Sequence, residues 1–376
     1  MGRGSVIIAS FNYAPYLRQA VDSALSQTVA AEVIVVDDGS TDESREIIAS
    51  YGSRITPVLK ENGGQASSQN AGFAVSKGDP VIFLDSDDAL EPTALESARA
   101  LLSDGVVKVH WKMIEFGRSG RRTGRLIPYD MDLCEGNFAA DVLKFGPRSD
   151  AHTWPPTSGN AFSRRYLQQI LPMPESHYVT CPDLYLCGLA PLYGSIARAD
   201  VPLSLWRRHA GNNTYRDDFV SRMASYTRLW DDCCHDIARH ASRLGRSADL
   251  EQMLSHSWWR RIDSAVSVLK QTLPPARPFI LVDGDEWACT SIESRQAVPL
   301  IEFNGESAGA PADDRQAIER LEALRSQGVR SIAFAWPSFW WLDHYTSFAR
   351  HLRENYKCIN SDDSLIIFDL EGMRYG

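Results

Sequence analysis

No run of about 18 apolar residues occurs in this chain, so no membrane-spanning helix is expected. Met1–Ser5 passes directly into a strand pattern, without the apolar core and small-residue cleavage site of a secretory leader. Basic residues are outnumbered: 39 Lys and Arg stand against 48 Asp and Glu, a net charge of -9. That balance argues against a general nucleic-acid binder, which carries a basic face, but leaves a local phosphate site open. The seven cysteines, at 134, 181, 187, 233, 234, 289 and 358, lack metal-type pairing and read as reduced thiols of a cytosolic protein. Neither the G-x-G-x-x-G signature of dinucleotide folds nor the P-loop is present. Internal repeats and low-complexity tracts are absent too.

The first hundred residues instead alternate two periodicities. Ser5–Ser10, Glu32–Asp37, Ile55–Leu59 and Pro80–Leu84 are short β-branched runs suited to buried parallel strands. Tyr16–Gln27, Asp42–Ser50 and Gln65–Ser76 between them have helical character. Such alternation predicts a parallel sheet covered on both faces, with ligands at the carboxyl ends of its strands. Polar residues gather at those ends: Ser10-Phe11-Asn12, Asp37-Asp38-Gly39-Ser40 and Asp85-Ser86-Asp87-Asp88.

Packing does not explain the two acidic clusters at strand ends. Asp85, Asp87 and Asp88 in one tight turn suit Mg²⁺ or Mn²⁺, which takes one or two protein carboxylates with ligand phosphates. A solvated turn capping the helix near Pro92 explains the same residues equally well. In the second cluster Asp42 reads as a helix N-cap. Asp37 and Asp38 are left as acceptors for a ribose hydroxyl or a base N–H.

The ordered blocks VIIASFNYAPYL, EVIVVDDGSTD, ENGGQASSQNAG and VIFLDSDD resemble the family 2 glycosyltransferases of the GT-A fold. The resemblance continues in TSGNAFSRRYL (157–167), PDLYLCGLAPLYG (182–194) and PLSLWRRHAGNN (202–213). It implies an inverting, metal-dependent transferase that moves a sugar from a nucleotide diphosphate donor, UDP being favoured, to a glycan or glycoconjugate hydroxyl. Ala9, Phe11, Asn12, Asp38, Gln65 and Asp87 would then hold the nucleotide, with Arg207 and His209 over the diphosphate. Asp85, Asp87 and Asp88 would occupy the metal site. Ser158, Gly159 and Asn160 would lie near donor sugar and acceptor, and Asp183 would be the general base. The chain departs from the family in reading Pro182-Asp183 for the common Glu-Asp, and Ser68-Gln69-Asn70 where an Arg is usual.

The expected architecture is α/β: a Rossmann-like GT-A domain over 1–215, a helical connector over 216–274 and a smaller α/β domain over 275–376. Arg118–Arg125 reads as a solvent-exposed connection. In the last domain Phe279–Val282, Ser331–Ala335 and Ser364–Phe368 read as strands and Asp314–Gln327 as an amphipathic helix. The aromatic cluster of Trp336, Trp340, Trp341 and Tyr345 is better explained by packing than by sugar stacking or a protein contact. Surface-polysaccharide or O-antigen-like synthesis in the cytoplasm, with peripheral membrane association open, completes the expectation. A sugar nucleotidyltransferase would need a Gly-rich basic loop that SFNYAP lacks, and a non-catalytic scaffold would not need all of Asp87, Asp88 and Asp183.

Overall fold

The apolar runs at 4–10, 31–38 and 81–85 form strands because they bury side chains on both faces, each contributing about 1.5–3 kcal/mol. The run at 56–60, expected as a buried strand, lies at the sheet edge with its side chains half-buried or exposed. Strands β1 (Gly4–Ser10), β2 (Ala31–Asp38), β3 (Thr56–Lys60) and β4 (Val81–Asp85) are parallel neighbours in the order β4-β1-β2-β3. Their register decides what meets at the carboxyl edge. Ala9 pairs with Val36 on one side and Asp85 on the other, Ser10 with Asp37, and Asp38 with Lys60. Helices α1 (Ala14–Leu25), α2 (Ser44–Ser50) and α3 (Gly64–Val75) connect these strands. Asp42 caps α2 as expected, its Oδ1 accepting from the Ser44 amide at 3.0 Å. Its Oδ2 accepts from the Ala14 amide at 2.9 Å, which ties the second strand-end loop to the start of α1.

The computed structural model describes residues 3–117, 120–129, 132–209, 219–284, 287, 289–303, 306–307 and 309–371. Beyond β4, the short β5 (Ala89–Leu90) leads through α4 (Ala94–Leu101) to β6 (Val106–His110). Strand β9 (Asn160–Phe162) runs antiparallel between β4 and β6, and β10 (Ser195–Arg198) closes the seven-stranded sheet beside β6. A second sheet has the order β5-β11-β7-β8, from β7 (Met113–Gly117), β8 (Arg122–Ile127) and β11 (Ser204–Arg208). The stretch expected as an exposed connection over 118–125 is thus partly strand: from Arg122 it pairs antiparallel with β7, its side chains mostly exposed. Arg118 and Ser119 lie outside the described residues. Helices α5 (Ala139–Phe145), α6 (Arg164–Ile170) and α7 (Asp183–Tyr193) complete this part.

Met1–Arg216 with Arg228–His256 forms one unit, and Asp217–Thr227 with Ser257–Gly376 forms the other. The helical stretch over 216–274 therefore divides between the two, through α8 (Phe219–Arg243). Phe219 and Met223 near its start are buried with Ile262, Val266 and Trp287. Farther along, Trp230 Nε1 donates to the Met253 carbonyl at 3.0 Å and Asp236 accepts from the Tyr178 hydroxyl at 2.8 Å. Each end buries its own apolar stripe, and a stripe's partner is not visible in helical spacing.

In the second unit β12 (Phe279–Val282) lies between β14 (Arg295–Pro299) and β17 (Ser331–Ala335), parallel to both. The edge strand β13 (Ser291–Ile292) pairs with β14, and β15 (Glu302–Phe303) with β16 (Glu306–Ser307). Strands β18 (Lys357–Ser361) and β19 (Leu365–Asp369) extend the sheet antiparallel beyond β17. After α9 (Leu250–Ser255), which belongs to the first unit, helix α10 (Trp258–Thr272) opens the second. Its α11 (Asp314–Ser326) has Asp313 as N-cap, accepting from the Gln316 amide at 2.8 Å. Short α12 (Trp340–His344) and α13 (Thr346–Asn355) follow. The aromatic cluster splits here: Trp341 and Tyr345 are buried, whereas Trp340 is 49% exposed.

Candidate active site

The acidic turn after β4 is the centre of the first unit's carboxyl edge. The Asp88 amide closes it by donating to the Asp85 carbonyl at 3.1 Å, and the Asp85 amide donates to Ser158 Oγ at 3.1 Å. Strand β11 pairs with β5 just beyond the turn and fastens it from the other side. The Arg207 amide donates to Asp88 Oδ1 at 2.9 Å, Arg207 Nε to the Asp87 carbonyl at 2.7 Å, and His209 Nε2 stands 3.0 Å from Asp87 Oδ2. Residues 210–213 of the block matched in the sequence lie outside the described residues.

Among the described residues few cations neutralise this carboxylate group. Burial, followed by the charges of Asp87 and Asp183, raises Asp85 to about 8, against a hydrogen bond from Thr157. Burial, then Asp87 and Asp85, raises Asp88 well above the ordinary carboxylate range, against the Arg207 amide and Ser158. Carboxyl groups that share a poorly solvated space hold protons until a cation replaces them. Among the described residues no three His, Cys, Asp or Glu stand arranged to hold a metal ion by themselves. A hard divalent ion does not require that, since one or two carboxylates with phosphate oxygens and water suffice. The all-oxygen, under-neutralised turn fits such an ion.

Asp183 is the first residue of α7, where the helix dipole favours negative charge. Burial raises its carboxyl, opposed first by a hydrogen bond from Trp154 and then by the charges of Arg148 and Lys108. Trp154 Nε1 donates to Asp183 Oδ2 at 3.2 Å. Arg148 braces that indole, with its guanidinium 4.8 Å from the ring centre and Nη2 donating to the Trp154 carbonyl at 2.8 Å. Sequence reading missed both residues, because the only signal was one Trp ahead of Pro155-Pro156. Farther inside, His110 Nε2 donates to the Cys134 carbonyl at 2.7 Å, so its Nδ1 accepts from buried Lys108 at 3.1 Å.

The structure distributes the remaining sequence candidates. Asp38 accepts from Lys60 Nζ at 2.6 Å, the Gly63 amide at 3.0 Å and the Gly64 amide at 2.8 Å. A carboxylate has about four acceptor sites, so one remains for a ligand. A 610 Å³ open cleft lined by Gly39, Arg45, Leu59, Lys60, Glu61 and Asn62 adjoins this pair but does not reach the acidic turn. Phe11 is 44% exposed at the end of β1, next to Ala9 at the Asp85 level. Asn12, at φ 56°, takes the Thr41 amide on Oδ1 at 2.7 Å and so joins two strand-end loops. Gln65 Oε1 accepts from the Cys181 amide at 3.0 Å, bracing the loop before Asp183.

Two candidates turn inward. Asn160 is fully buried and donates to the carbonyls of Pro155 and Pro156 at 3.1 and 2.9 Å, holding the turn that carries Ser158. Gly159 stands where a Cβ would come within 2.6 Å of Pro155 Cγ. Arg207 is only 2% exposed; its guanidinium lies 4.7 Å from the Tyr16 ring and 4.1 Å from Phe116, and Nη2 donates to Gln19 at 2.6 Å. A phosphate contact from Arg207 requires that packing to open. Its position in the fold is that of a pillar under the turn.

A mostly parallel α/β sheet with an acidic turn at its carboxyl edge, and a separate half-buried carboxylate whose charge reaches that turn, defines the class: a Rossmann-like domain built around a polyanionic strand-end site. Residues 5–156 match the family described as glycosyl transferase family 2. An uncharacterized glycosyltransferase of Nostoc sp. strain PCC 7120 is 33% identical over 215 residues, 56% of this chain and 66% of that protein. The chondroitin synthase of Pasteurella multocida is 47% identical over 96 residues, 24% of this chain and 10% of that protein. The chain thus spans just under two-thirds of the first relative and a small part of the second. Among solved structures, Staphylococcus aureus TarS 1–349 in complex with UDP-GlcNAc gives a TM-score of 0.47 at 19% identity, covering 64% of this chain and 73% of that one. The mannosyltransferase PcManGT from Pyrobaculum calidifontis, in complex with GDP-Man and Mn²⁺, gives 0.45 at 16%, covering 73% and 76%. No helix among the described residues is long and apolar enough to cross a membrane.

Proposed function

We propose that this protein is an inverting glycosyltransferase that moves a sugar from a nucleoside diphosphate, with UDP favoured, to a hydroxyl of a growing glycan or glycoconjugate. The observation that carries the reading is the pairing of an under-neutralised acidic turn with a second carboxylate, Asp183, near enough for its charge to raise Asp85. Asp87 and Asp88 would hold Mg²⁺ or Mn²⁺, which supplies the positive charge that the departing diphosphate needs. Phe11 and Asp38 would receive the base and ribose, and the Ser158 turn would border the sugar.

Asp183 would take the proton of the acceptor hydroxyl as its oxygen attacks C1. The new C1–O bond forms as the bond from C1 to the phosphate oxygen breaks, and that electron pair leaves with the nucleoside diphosphate. One displacement inverts the anomeric centre and needs no sugar–enzyme bond. Trp154 would keep the Asp183 carboxylate aimed, and its single N–H bond leaves the other oxygen to act as base. The likeness to chondroitin synthase over 96 residues supports polysaccharide assembly. Incubation with a panel of nucleotide sugars and Mn²⁺, followed by detection of nucleoside diphosphate and of product anomer by NMR, tests the reading. Release of no nucleoside diphosphate from any donor, or retention at C1, would reject it.

A further inference from the structure

The second unit has a cavity of its own, at a place where α/β sheets take ligands. After β12 the chain forms β14 on one side, then crosses through α11 to β17 on the other, so the strand order reverses at β12. Such a reversal opens a crevice beyond the carboxyl ends of the strands. A cavity of 340 Å³ lies there, lined by Asp283 and Gly284 after β12, Leu300 after β14, and Pro337, Trp340 and Trp341 after β17. Small-molecule sites start at about 300 Å³.

We propose that this cavity binds a neutral saccharide unit, stacked on Trp340 and hydrogen-bonded through its hydroxyls at Asp283. No Lys, Arg or His is found among the described lining residues, and the one charged side chain is the Asp283 carboxylate. Among its described residues the lining thus offers no cation to a phosphate, a nucleotide or an acidic sugar. Trp340 offers a broad face, 49% exposed, braced by the rings of Trp341 at 6.0 Å, His344 at 5.7 Å and Tyr345 at 6.2 Å. Asp283 is oriented by the Trp287 amide, which donates to Oδ2 at 3.0 Å. A flat apolar face beside an acceptor carboxylate matches a pyranose, which has a C–H face and a rim of hydroxyl donors. That the bound glycan is the acceptor rests on the transferase reading; saccharide binding itself does not.

The test titrates the full-length protein with neutral hexasaccharides (malto-, cello-, chito-, xylo- and manno-series), followed by tryptophan fluorescence and saturation-transfer NMR. At least one series is expected to bind, Trp340→Ala to weaken it by about tenfold or more, and Trp340→Phe, which keeps a ring, to recover part of the loss. UDP binding with Mn²⁺ should stay unchanged in both variants. Binding by no series, binding indifferent to Trp340→Ala, or binding of tetramethylammonium alone would overturn the proposal. Saccharide binding without any nucleotide-sugar turnover would uphold it and reject the transferase reading, so the two failures are distinguishable.

Discussion

His209 Nε2 stands 3.0 Å from Asp87 Oδ2, so the end of β11 reaches the acidic turn with a side chain as well as with its backbone. The carboxylate proposed to meet a divalent ion is thus already oriented by a neighbour on another strand. Chelation with EDTA should abolish nucleoside diphosphate release. In Mn²⁺, Asp87→Asn should weaken UDP binding by about tenfold or more, whereas in EDTA variant and parent should bind alike. Full turnover in chelator would remove the metal from the account.

Asp38 serves the fold and the proposed site together, which changes how its variants must be read. Asp38→Ala removes the acceptor for Lys60 and for the amides at the start of α3, so it should lower the thermal midpoint as well as nucleotide affinity. Asp38→Asn keeps most of that scaffold and should weaken UDP with a smaller loss of stability. Calorimetry showing unchanged UDP affinity in both would take Asp38 out of the site.

Three buried histidines set an acid limit on stability. Burial, then the charge of Lys108, lowers His152 to about 3 and His110 well below the usual range; burial, then Arg243 and Arg239, lowers His240 to about 4. Each is neutral in the fold and binds its proton more readily when unfolded. Their contribution is therefore complete above about pH 6.5 and is lost as pH falls toward 4, by up to about 1.4 kcal/mol per pH unit for each. The thermal midpoint should fall steeply from pH 6.5 to 4.5, and His152→Gln should flatten that slope. A midpoint independent of pH over this range would contradict the assignment.

Gly78 is fixed by backbone crowding. A Cβ there would stand 2.4 Å from the Gly4 carbonyl carbon and 2.6 Å from both Arg3 O and Ser5 N. Gly78→Ala should destabilise by about 1–3 kcal/mol, as overpacking does. At Gly117 the nearest atom to a Cβ is Arg121 O at 3.9 Å, so Gly117→Ala should be close to neutral. Thermal denaturation of the two variants side by side measures the difference.

Short continuous apolar runs and helical character located β1, β2, β4 and α3 to within a residue or two, because buried parallel strands and their helices carry their packing in local sequence. The acidic turn stood out as polar residues at a strand end, with a solvated turn explaining it equally well, and Asp183 was singled out only by the family resemblance. Trp154, 29 residues before Asp183, and Arg148 were not, since only the fold brings them together. Arg207 was legible as a basic edge residue but not as a buried pillar, because its ring partners lie on α1 and β7. The division of α8 between two units was hidden likewise: one continuous helix gives one continuous period.

Turnover by Asp183→Asn, measured beside its UDP affinity in Mn²⁺, tests the proposed mechanism most directly. The substitution keeps the size of the side chain and an acceptor for Trp154 Nε1 while removing basicity. Because Asp183 is proposed to face the acceptor hydroxyl, UDP affinity should stay within about twofold of the parent while turnover falls by about 10²–10⁴, the span for losing a positioned base. An Asp183→Asn protein that turns over at the parental rate, or that loses its UDP affinity in step with its activity, would contradict the assignment of Asp183 as the base.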